Sequence, residues 1–205
     1  MLLSWCALNI IKGVTMKTSA CKIRIKYLIL LGLFLFAPFS SEAEEAKFAD
    51  TLISNNAEQI LVYARVTDCF TQRMESAILA GVPTTFTFLF EFYQERPYWW
   101  DKKIAHLTVM HTIKYDNVKK TFQVDSTNGK EAAAFPTLDT AKRAMAELNG
   151  VAVAPLYVME KDESYYLQMK AKLDEVRLPL SMEYLFFFVS LWDFETDWHR
   201  QKVAF

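Results

Sequence analysis

The clearest pattern in the chain is an alternation of phenylalanine with other residues between positions 84 and 93. Because successive side chains of a β-strand point to opposite faces, this alternation predicts a strand with one aromatic face. That face would carry Phe86, Phe88, Phe90 and Phe92. The other face would carry Thr85, Thr87, Glu91 and Tyr93. Since stacked phenylalanines are typical of a hydrophobic core, we expect this strand at the centre of the fold.

Similar period-two patterns predict further strands, and segments with a period near 3.6 predict two helices. The predicted strands cover residues 60–68, 105–115, 121–125, 151–160, 165–173 and 184–192. The predicted helices cover residues 71–80, ended by Gly81, and 138–148, capped by Thr137 and ended by Asn149-Gly150. Turn residues at 116–117 and 161–164 indicate two hairpins, 105–125 and 151–173. The predicted fold class is α+β, a curved antiparallel β-sheet with two short packed α-helices.

The first 43 residues have the parts of a signal peptide for export. Basic residues between Lys17 and Lys26 precede an apolar run over residues 27–39, and Ser41-Glu42-Ala43 offers a cleavage site. The apolar run is shorter than the roughly 20 residues that a membrane-spanning helix needs, which favours cleavage. We expect a signal peptide over residues 1–43, with Met16 as a candidate true start, and one exported, periplasmic domain over residues 44–205. The alternative is an uncleaved segment that anchors this domain to the membrane.

Charge and glycine content exclude two classes of ligand. Residues 1–43 hold five of the 23 Lys and Arg residues and one of the 24 Asp and Glu residues, which leaves a net charge of −5 for residues 44–205. Nucleic acid needs a clustered basic face, so we do not expect it as a partner. After residue 43 only Gly81, Gly129 and Gly150 occur, too few for a phosphate-binding loop, and we expect no cofactor.

Catalytic and metal-binding motifs are equally scarce. His106, His111 and His199 are scattered, and neither a Gly-x-Ser-x-Gly nor a His-Glu-x-x-His motif occurs. We expect His111 to be a hydrogen-bonded core or rim residue and His106 to be solvated, because they fall on opposite faces of their strand. Cys69 is the only cysteine of residues 44–205 and is expected to be a buried thiol. We predict no catalytic residue and no metal ligand.

Two tryptophan-containing segments are candidate sites. If residues 192–199 are extended, Asp193, Glu195, Asp197 and His199 share one face, which suggests either a cation site or, more simply, acids in water. Adjacent Trp99 and Trp100, which precede Asp101, would point to opposite faces of an extended segment. They either close the end of the core or leave one tryptophan exposed for a partner, a sugar or a membrane interface.

Several short motifs carry a resemblance to a known family. They are residues 80–86, Trp99-Trp100-Asp101, Tyr115-Asp116, Leu178-Pro179 and residues 192–198. With these motifs, residues 46–200 resemble the bacterial domain of unknown function 4390 family. The family has no established activity, so the resemblance supplies no catalytic residue. It implies an exported or membrane-anchored envelope protein, and the genes of some members lie beside a membrane sensor kinase, which implies an accessory role in envelope sensing.

Three functional hypotheses follow. The first is a non-enzymatic accessory protein that binds an envelope protein. Its partner surface would comprise Trp99, Trp100, Asp101, Trp192, Asp193 and Trp198. The second is a carrier or sensor of an apolar ligand, held in a cavity lined by residues such as Phe86, Phe88 and Phe90. The third is a hydrolase that uses the carboxylates of residues 193–197.

Overall fold

The computed structural model describes residues 45–128, 132–174 and 194–203, which belong to one compact unit, Glu44–Phe205. This part of the chain contains nine strands and two α-helices. The strands are β1 (Lys47–Asn55), β2 (Gln59–Thr67), β3 (Thr84–Gln94), β4 (Lys102–Asp116), β5 (Thr121–Ser126), β6 (Ala133–Phe135), β7 (Glu147–Pro155), β8 (Tyr165–Leu173) and β9 (His199–Val203). The helices are α1 (Gln72–Leu79) and α2 (Leu138–Ala146), and a 3-10 turn covers Leu156–Val158. The predicted α+β class is confirmed.

The strands form two antiparallel sheets, with the orders β1-β2-β7 and β6-β5-β4-β3-β8-β9. All of these strand pairs are antiparallel, as predicted. The prediction was based on strands with one polar and one apolar face, which are typical of antiparallel sheets. The division into two sheets was not predicted, because alternation identifies the buried face of a strand and not its neighbours. Both sheets contribute to one core, in which Val62 of β2 and Phe88 of β3 are completely buried.

Strand β3 lies in the middle of the six-stranded sheet, between β4 and β8. All four of its predicted core phenylalanines are buried. The ring of Phe86 lies 5.0 Å from that of Phe70 and 4.9 Å from that of Phe194, measured between centroids. The ring of Phe88 makes an edge contact with His111 at 5.0 Å. Core side chains from other elements therefore pack directly against the phenylalanine face.

Threonine residues cap both helices, as predicted for Thr137. Thr71 Oγ1 accepts a hydrogen bond of 3.3 Å from the amide of Met74, and Thr137 Oγ1 accepts one of 3.4 Å from the amide of Thr140. The buried residues of the helices are Met74, Ala77 and Ile78 in α1 and Ala141, Met145 and Ala146 in α2. Apolar residues at helical spacing thus attach both helices to the core, as their sequence pattern predicted.

The predicted hairpin over residues 151–173 is wrong. Strand β7 pairs with β2 in the three-stranded sheet, whereas β8 pairs with β3 and β9 in the six-stranded sheet. The 3-10 turn Leu156–Val158 and the loop after it carry the chain from one sheet to the other. A short polar loop is typical of a hairpin, but it does not by itself determine which strands pair.

The predicted end of the second helix at Asn149-Gly150 is also wrong. Helix α2 ends at Ala146, and Gly150 lies inside β7. Gly150 is the extra residue where the pairing of β2 with β7 shifts register between Val62 and Tyr63. Its φ of +68° is a left-handed conformation that glycine adopts without steric cost. The same conformation serves a helix end and a β-bulge, so the residue type did not distinguish them.

Several features fall outside these predictions or outside the described residues. Strands β1, β6 and β9 were not predicted. Only Phe48 of β1 is buried, so the alternation of this strand is weak. The predicted strand over residues 184–192 and the signal peptide over residues 1–43 lie outside the described residues. Within the described ranges, no helix combines the length and apolar character that crossing a membrane requires.

Candidate functional site

Three consecutive aromatic residues protrude from the loop between β3 and β4. The exposed fractions are 96% for Tyr98, 69% for Trp99 and 80% for Trp100. The two indole rings lie 5.4 Å apart and nearly perpendicular to each other, at 81°. Neither tryptophan closes the end of the core, because both side chains are exposed. A hydrogen bond of 3.4 Å from the amide of Trp99 to the carbonyl oxygen of Arg96 closes a turn in this loop.

Asp101 fixes this loop to the six-stranded sheet. Its Oδ2 accepts a hydrogen bond of 2.8 Å from the Tyr166 hydroxyl, and its Oδ1 accepts one of 3.2 Å from the amide of Arg96. The guanidinium of Arg200 lies 3.4 Å from Oδ2. The hydroxyl of Tyr166, followed by the amide of Arg96, lowers the pKa of Asp101 below its ordinary value. The carboxylate therefore stays ionised and links the loop to β8 and β9.

Tyr166, which donates a hydrogen bond to Asp101, belongs to a row of side chains that crosses four neighbouring strands. Lys103 Nζ of β4 lies 5.5 Å from the ring centre of Tyr93 in β3, which stacks on Tyr166 of β8 at 5.2 Å and 11°. The guanidinium of Arg200 in β9 lies 3.4 Å from the ring centre of Tyr166. Two stacked rings are thus covered by a cation at each end, an arrangement that electrostatics between cation and π-system favours. We call Lys103, Tyr93, Tyr166 and Arg200 the cross-strand ladder.

Glu91 holds the β4 end of the cross-strand ladder. Lys103 Nζ donates to its Oε1 at 2.5 Å, and the Tyr93 hydroxyl donates to its Oε2 at 2.7 Å. Burial alone would raise the pKa of Glu91, but the hydrogen bonds from Lys103 and Tyr93 outweigh burial and lower it. Both carboxylates beside the ladder, Glu91 and Asp101, therefore have structural partners.

Trp198 lies on the same outward face of the six-stranded sheet, just before β9. Its exposed fraction is 41%, and Lys170 Nζ of β8 lies 5.7 Å from the centre of its ring. Lys170 and Tyr166 share one face of β8 and are about 13 Å apart along it. We call Tyr98, Trp99, Trp100, Asp101 and Trp198 the aromatic surface. Trp192 and Asp193, the other predicted members, lie outside the described residues.

The acidic residues next to Trp198 are separated from one another. Lys170 lies 2.5 Å from Glu195 and lowers its pKa, and Asp197 is exposed. Thr196, between them, is buried, and its Oγ1 accepts a hydrogen bond of 3.0 Å from the amide of Ala171. Among the described residues, no group of three or more His, Cys, Asp and Glu side chains is placed to hold a metal ion.

Two histidines and the cysteine were the other candidate side chains, and each lies where its sequence pattern predicted. His111 is buried, and its Nδ1 lies 2.9 Å from the carbonyl oxygen of Met145, which confirms the core histidine predicted from its strand face. His106 is exposed, also as predicted. Cys69 is buried, as predicted, and burial raises the pKa of its thiol to about 12. A thiol with this pKa is protonated at neutral pH and is a poor nucleophile.

Sequence reasoning found the exposed tryptophans and missed the ladder that supports them. Tyr93 was placed correctly on the outward face of β3, but Tyr166 and Arg200 were not identified as its neighbours. Their contacts depend on which strands are adjacent and on the register between them. The available signal was the alternation of β8, which puts Tyr166 on its wet face together with Lys170.

Comparison with known proteins gives one match. The family model described as Domain of unknown function (DUF4390) matches residues 43–202, a range that includes the aromatic surface and the whole cross-strand ladder. Neither the curated proteins nor the solved structures include a match to this chain.

Proposed function

This chain belongs to the family described as Domain of unknown function (DUF4390), and we propose that it is an exported accessory protein of the bacterial cell envelope. It acts by binding an envelope protein and not by catalysis, and the aromatic surface makes the contact. The observation that carries the proposal is the exposure of Trp99 and Trp100 beside an anchored Asp101.

The energetics of exposed tryptophan support a binding role. A tryptophan side chain can bury on the order of 150–250 Å², and tryptophan and tyrosine dominate the binding energy of many protein interfaces. Leaving Trp99 and Trp100 in water forgoes that stabilisation in the isolated protein. The hydrogen bonds of Asp101 restrict the loop before binding, so less conformational entropy is lost when a partner docks.

The carboxylates near the surface favour binding over hydrolysis. A general acid at neutral pH needs a pKa raised towards 7, whereas Asp101 and Glu195 have pKa values below their ordinary ranges because of Tyr166 and Lys170. The carrier alternative has less support, since the ring contacts of Phe86 and Phe88 favour a packed interior.

The proposed location rests on the signal-like segment at residues 1–43. Cleavage would release a periplasmic domain that begins near Glu44, and the alternative is a domain anchored by the uncleaved segment. The mass of the mature protein from a bacterial envelope decides between them. A mass that begins near Glu44 supports release, and a mass that includes residues 27–39 supports the anchor.

The size of the native complex tests the binding role. The full chain would be extracted gently from the envelope as wild type, as Trp99→Ala/Trp100→Ala and as Tyr157→Ala, and compared on native gels. Tyr157 is 85% exposed and lies in the 3-10 turn after β7, so it controls for loss of an exposed aromatic ring. We expect wild type and Tyr157→Ala to migrate in a larger complex and the double variant to migrate alone. Identical migration of all three would refute the proposed surface.

A further inference from the structure

A small pocket lies where the end of β5 and strand β6 of the six-stranded sheet meet helix α2 and strand β7. Its volume is about 220 Å³. The apolar part of its lining comprises Val124, Ala133, Phe135 and Ala144. Ala133 is exposed and lies at the mouth of the pocket. His111, which also lines the pocket, is roughly 30 Å from Lys102 along β4, so the pocket is separate from the aromatic surface.

Polar side chains from three parts of the fold form the rest of the lining. They are His111, Ser126, Asn128, Glu147 and Asn149. His111 and Ser126 are paired across β4 and β5, so their side chains lie on the same face of the sheet. His111 Nδ1 donates a hydrogen bond of 2.9 Å to the carbonyl oxygen of Met145, because a carbonyl oxygen can only accept. This bond fixes the imidazole ring relative to α2.

The polar groups of the pocket include both donors and acceptors of hydrogen bonds. Ser126 Oγ accepts a hydrogen bond of 3.3 Å from the amide of Asn128, and its hydroxyl can also donate one. The side chains of Asn128 and Asn149 each carry an N–H donor group and a carbonyl acceptor. A purely apolar ligand would displace water from these groups without replacing its hydrogen bonds, which is costly. The pocket therefore favours a ligand that has hydrogen-bonding groups of its own.

The charge of the lining favours a neutral ligand. None of the described residues that line the pocket is lysine or arginine. The acid among them is Glu147, whose Oε1 lies 3.6 Å from Arg65 Nε. An anion would meet this carboxylate without a lysine or arginine in the lining to bind it, and a cation would compete with Arg65 for Glu147. A neutral ligand avoids both costs.

An acetamido group combines the features that this lining favours. Its methyl group can contact the apolar side chains, and its N–H and carbonyl groups can pair with asparagine and serine side chains. One amide uses one donor and one acceptor, so the remaining polar side chains favour hydroxyl groups in the rest of the ligand. A buried cavity of about 150 Å³ holds one benzene molecule. The pocket, at about 220 Å³, therefore has room for an acetamido group and the adjoining part of a sugar ring.

We propose that this pocket binds an N-acetylated sugar. The acetamido methyl group contacts Val124 and Phe135, the amide pairs with Ser126 and Asn128, and the sugar hydroxyl groups face Glu147 at the rim. This inference goes beyond the proposed function and does not depend on it, because the aromatic surface takes no part in the pocket.

Titrations followed by two-dimensional NMR of the purified full chain test the inference. The probes are N-acetylglucosamine, glucose, which lacks the acetamido group, and N-acetylglycinamide, which lacks the sugar ring. Each would be added to wild type, to Ala133→Leu and to Ala134→Leu. Ala133 is paired with Val124, so a leucine there fills the mouth of the pocket. Ala134 is also exposed but points to the opposite face of β6, so Ala134→Leu is the matched control.

We expect N-acetylglucosamine to shift the signals of Ser126 and Asn149 in wild type and in Ala134→Leu, and to bind roughly tenfold more tightly than glucose or N-acetylglycinamide. Ala133→Leu should keep the dispersed spectrum of a folded protein and lose these shifts. Equal binding of N-acetylglucosamine and either other probe, shifts that persist in Ala133→Leu, or no shift with any probe overturns the inference. None of these results affects the proposed function, which concerns the aromatic surface.

Discussion

Tyr166 in β8 donates a hydrogen bond of 2.8 Å to Asp101, a residue that lies 65 positions earlier in the chain and directly follows Trp100. Through this bond, a buried tyrosine of the six-stranded sheet positions a loop whose aromatic side chains are in water. The loop is therefore exposed and anchored at the same time. This combination distinguishes a prepared contact surface from a chain segment that merely lacks packing partners.

Replacing Tyr166 with phenylalanine should loosen the loop without disturbing the sheet. The Tyr166→Phe variant keeps the ring that stacks on Tyr93 and loses the hydroxyl that lowers the pKa of Asp101. We expect the pKa of Asp101 to rise towards its ordinary value, as measured by an NMR titration of its carboxyl carbon. Tyr157→Phe serves as the control and should leave the titration unchanged.

The same bond predicts a pH dependence. Because the pKa of Asp101 is lower in the folded protein than in the unfolded chain, its stabilising effect is present above the ordinary pKa of aspartate. It is lost as the pH falls through the lowered value. The loop amides of the wild type should therefore become more mobile in that acidic range. Equal titration curves for wild type and Tyr166→Phe would contradict the role given to this bond.

Neighbouring residues of β3 provide a test of the packed interior. Phe88 is completely buried, whereas Leu89 is only partly buried and points to the outward face. We expect Phe88→Ala to lower the free energy of unfolding by about 3–5 kcal/mol and Leu89→Ala to lower it by about 1 kcal/mol, measured by urea denaturation. A loss below about 1 kcal/mol for Phe88→Ala would instead indicate a hollow interior and revive the carrier hypothesis.

The thiol of Cys69 should be unreactive while the protein is folded. Burial raises its pKa to about 12, so the thiolate is scarce at pH 8. We expect iodoacetamide to label Cys69 slowly in the native protein and rapidly in urea, as mapped by mass spectrometry of the peptide. The raised pKa also means that stability falls as the pH rises from about 9 towards 12. Rapid native labelling would show that this part of the core opens readily.

Local sequence patterns predicted the elements whose determinants are close together in the chain. The β4–β5 hairpin is one example: Asp116 Oδ1 accepts hydrogen bonds of 2.9 and 3.0 Å from the amides of Val118 and Lys119, so the turn is determined by residues within it. The phenylalanine face of β3 and the threonine cap of α2 are similar cases. Each depends on a few consecutive residues.

The pairing of strands that are distant in sequence could not be predicted from local patterns. Strands β7 and β8 follow each other in sequence but belong to different sheets, since β7 completes its pairing with β2 and β8 with β3. The cross-strand ladder depends on those pairings, and so does the anchor of Asp101. The sequence therefore indicated the exposed tryptophans of the candidate site but not the tyrosine and arginine that position them.

Hydroxyl-radical footprinting, in the envelope and on the purified protein, is the most direct test of the aromatic surface. In the purified protein, Trp99, Trp100 and Tyr157 should all be oxidised readily, because all three are largely exposed. In the envelope, we predict strong protection of Trp99 and Trp100 and unchanged oxidation of Tyr157. Equal oxidation of both tryptophans in the two preparations would contradict the claim that a partner covers this surface.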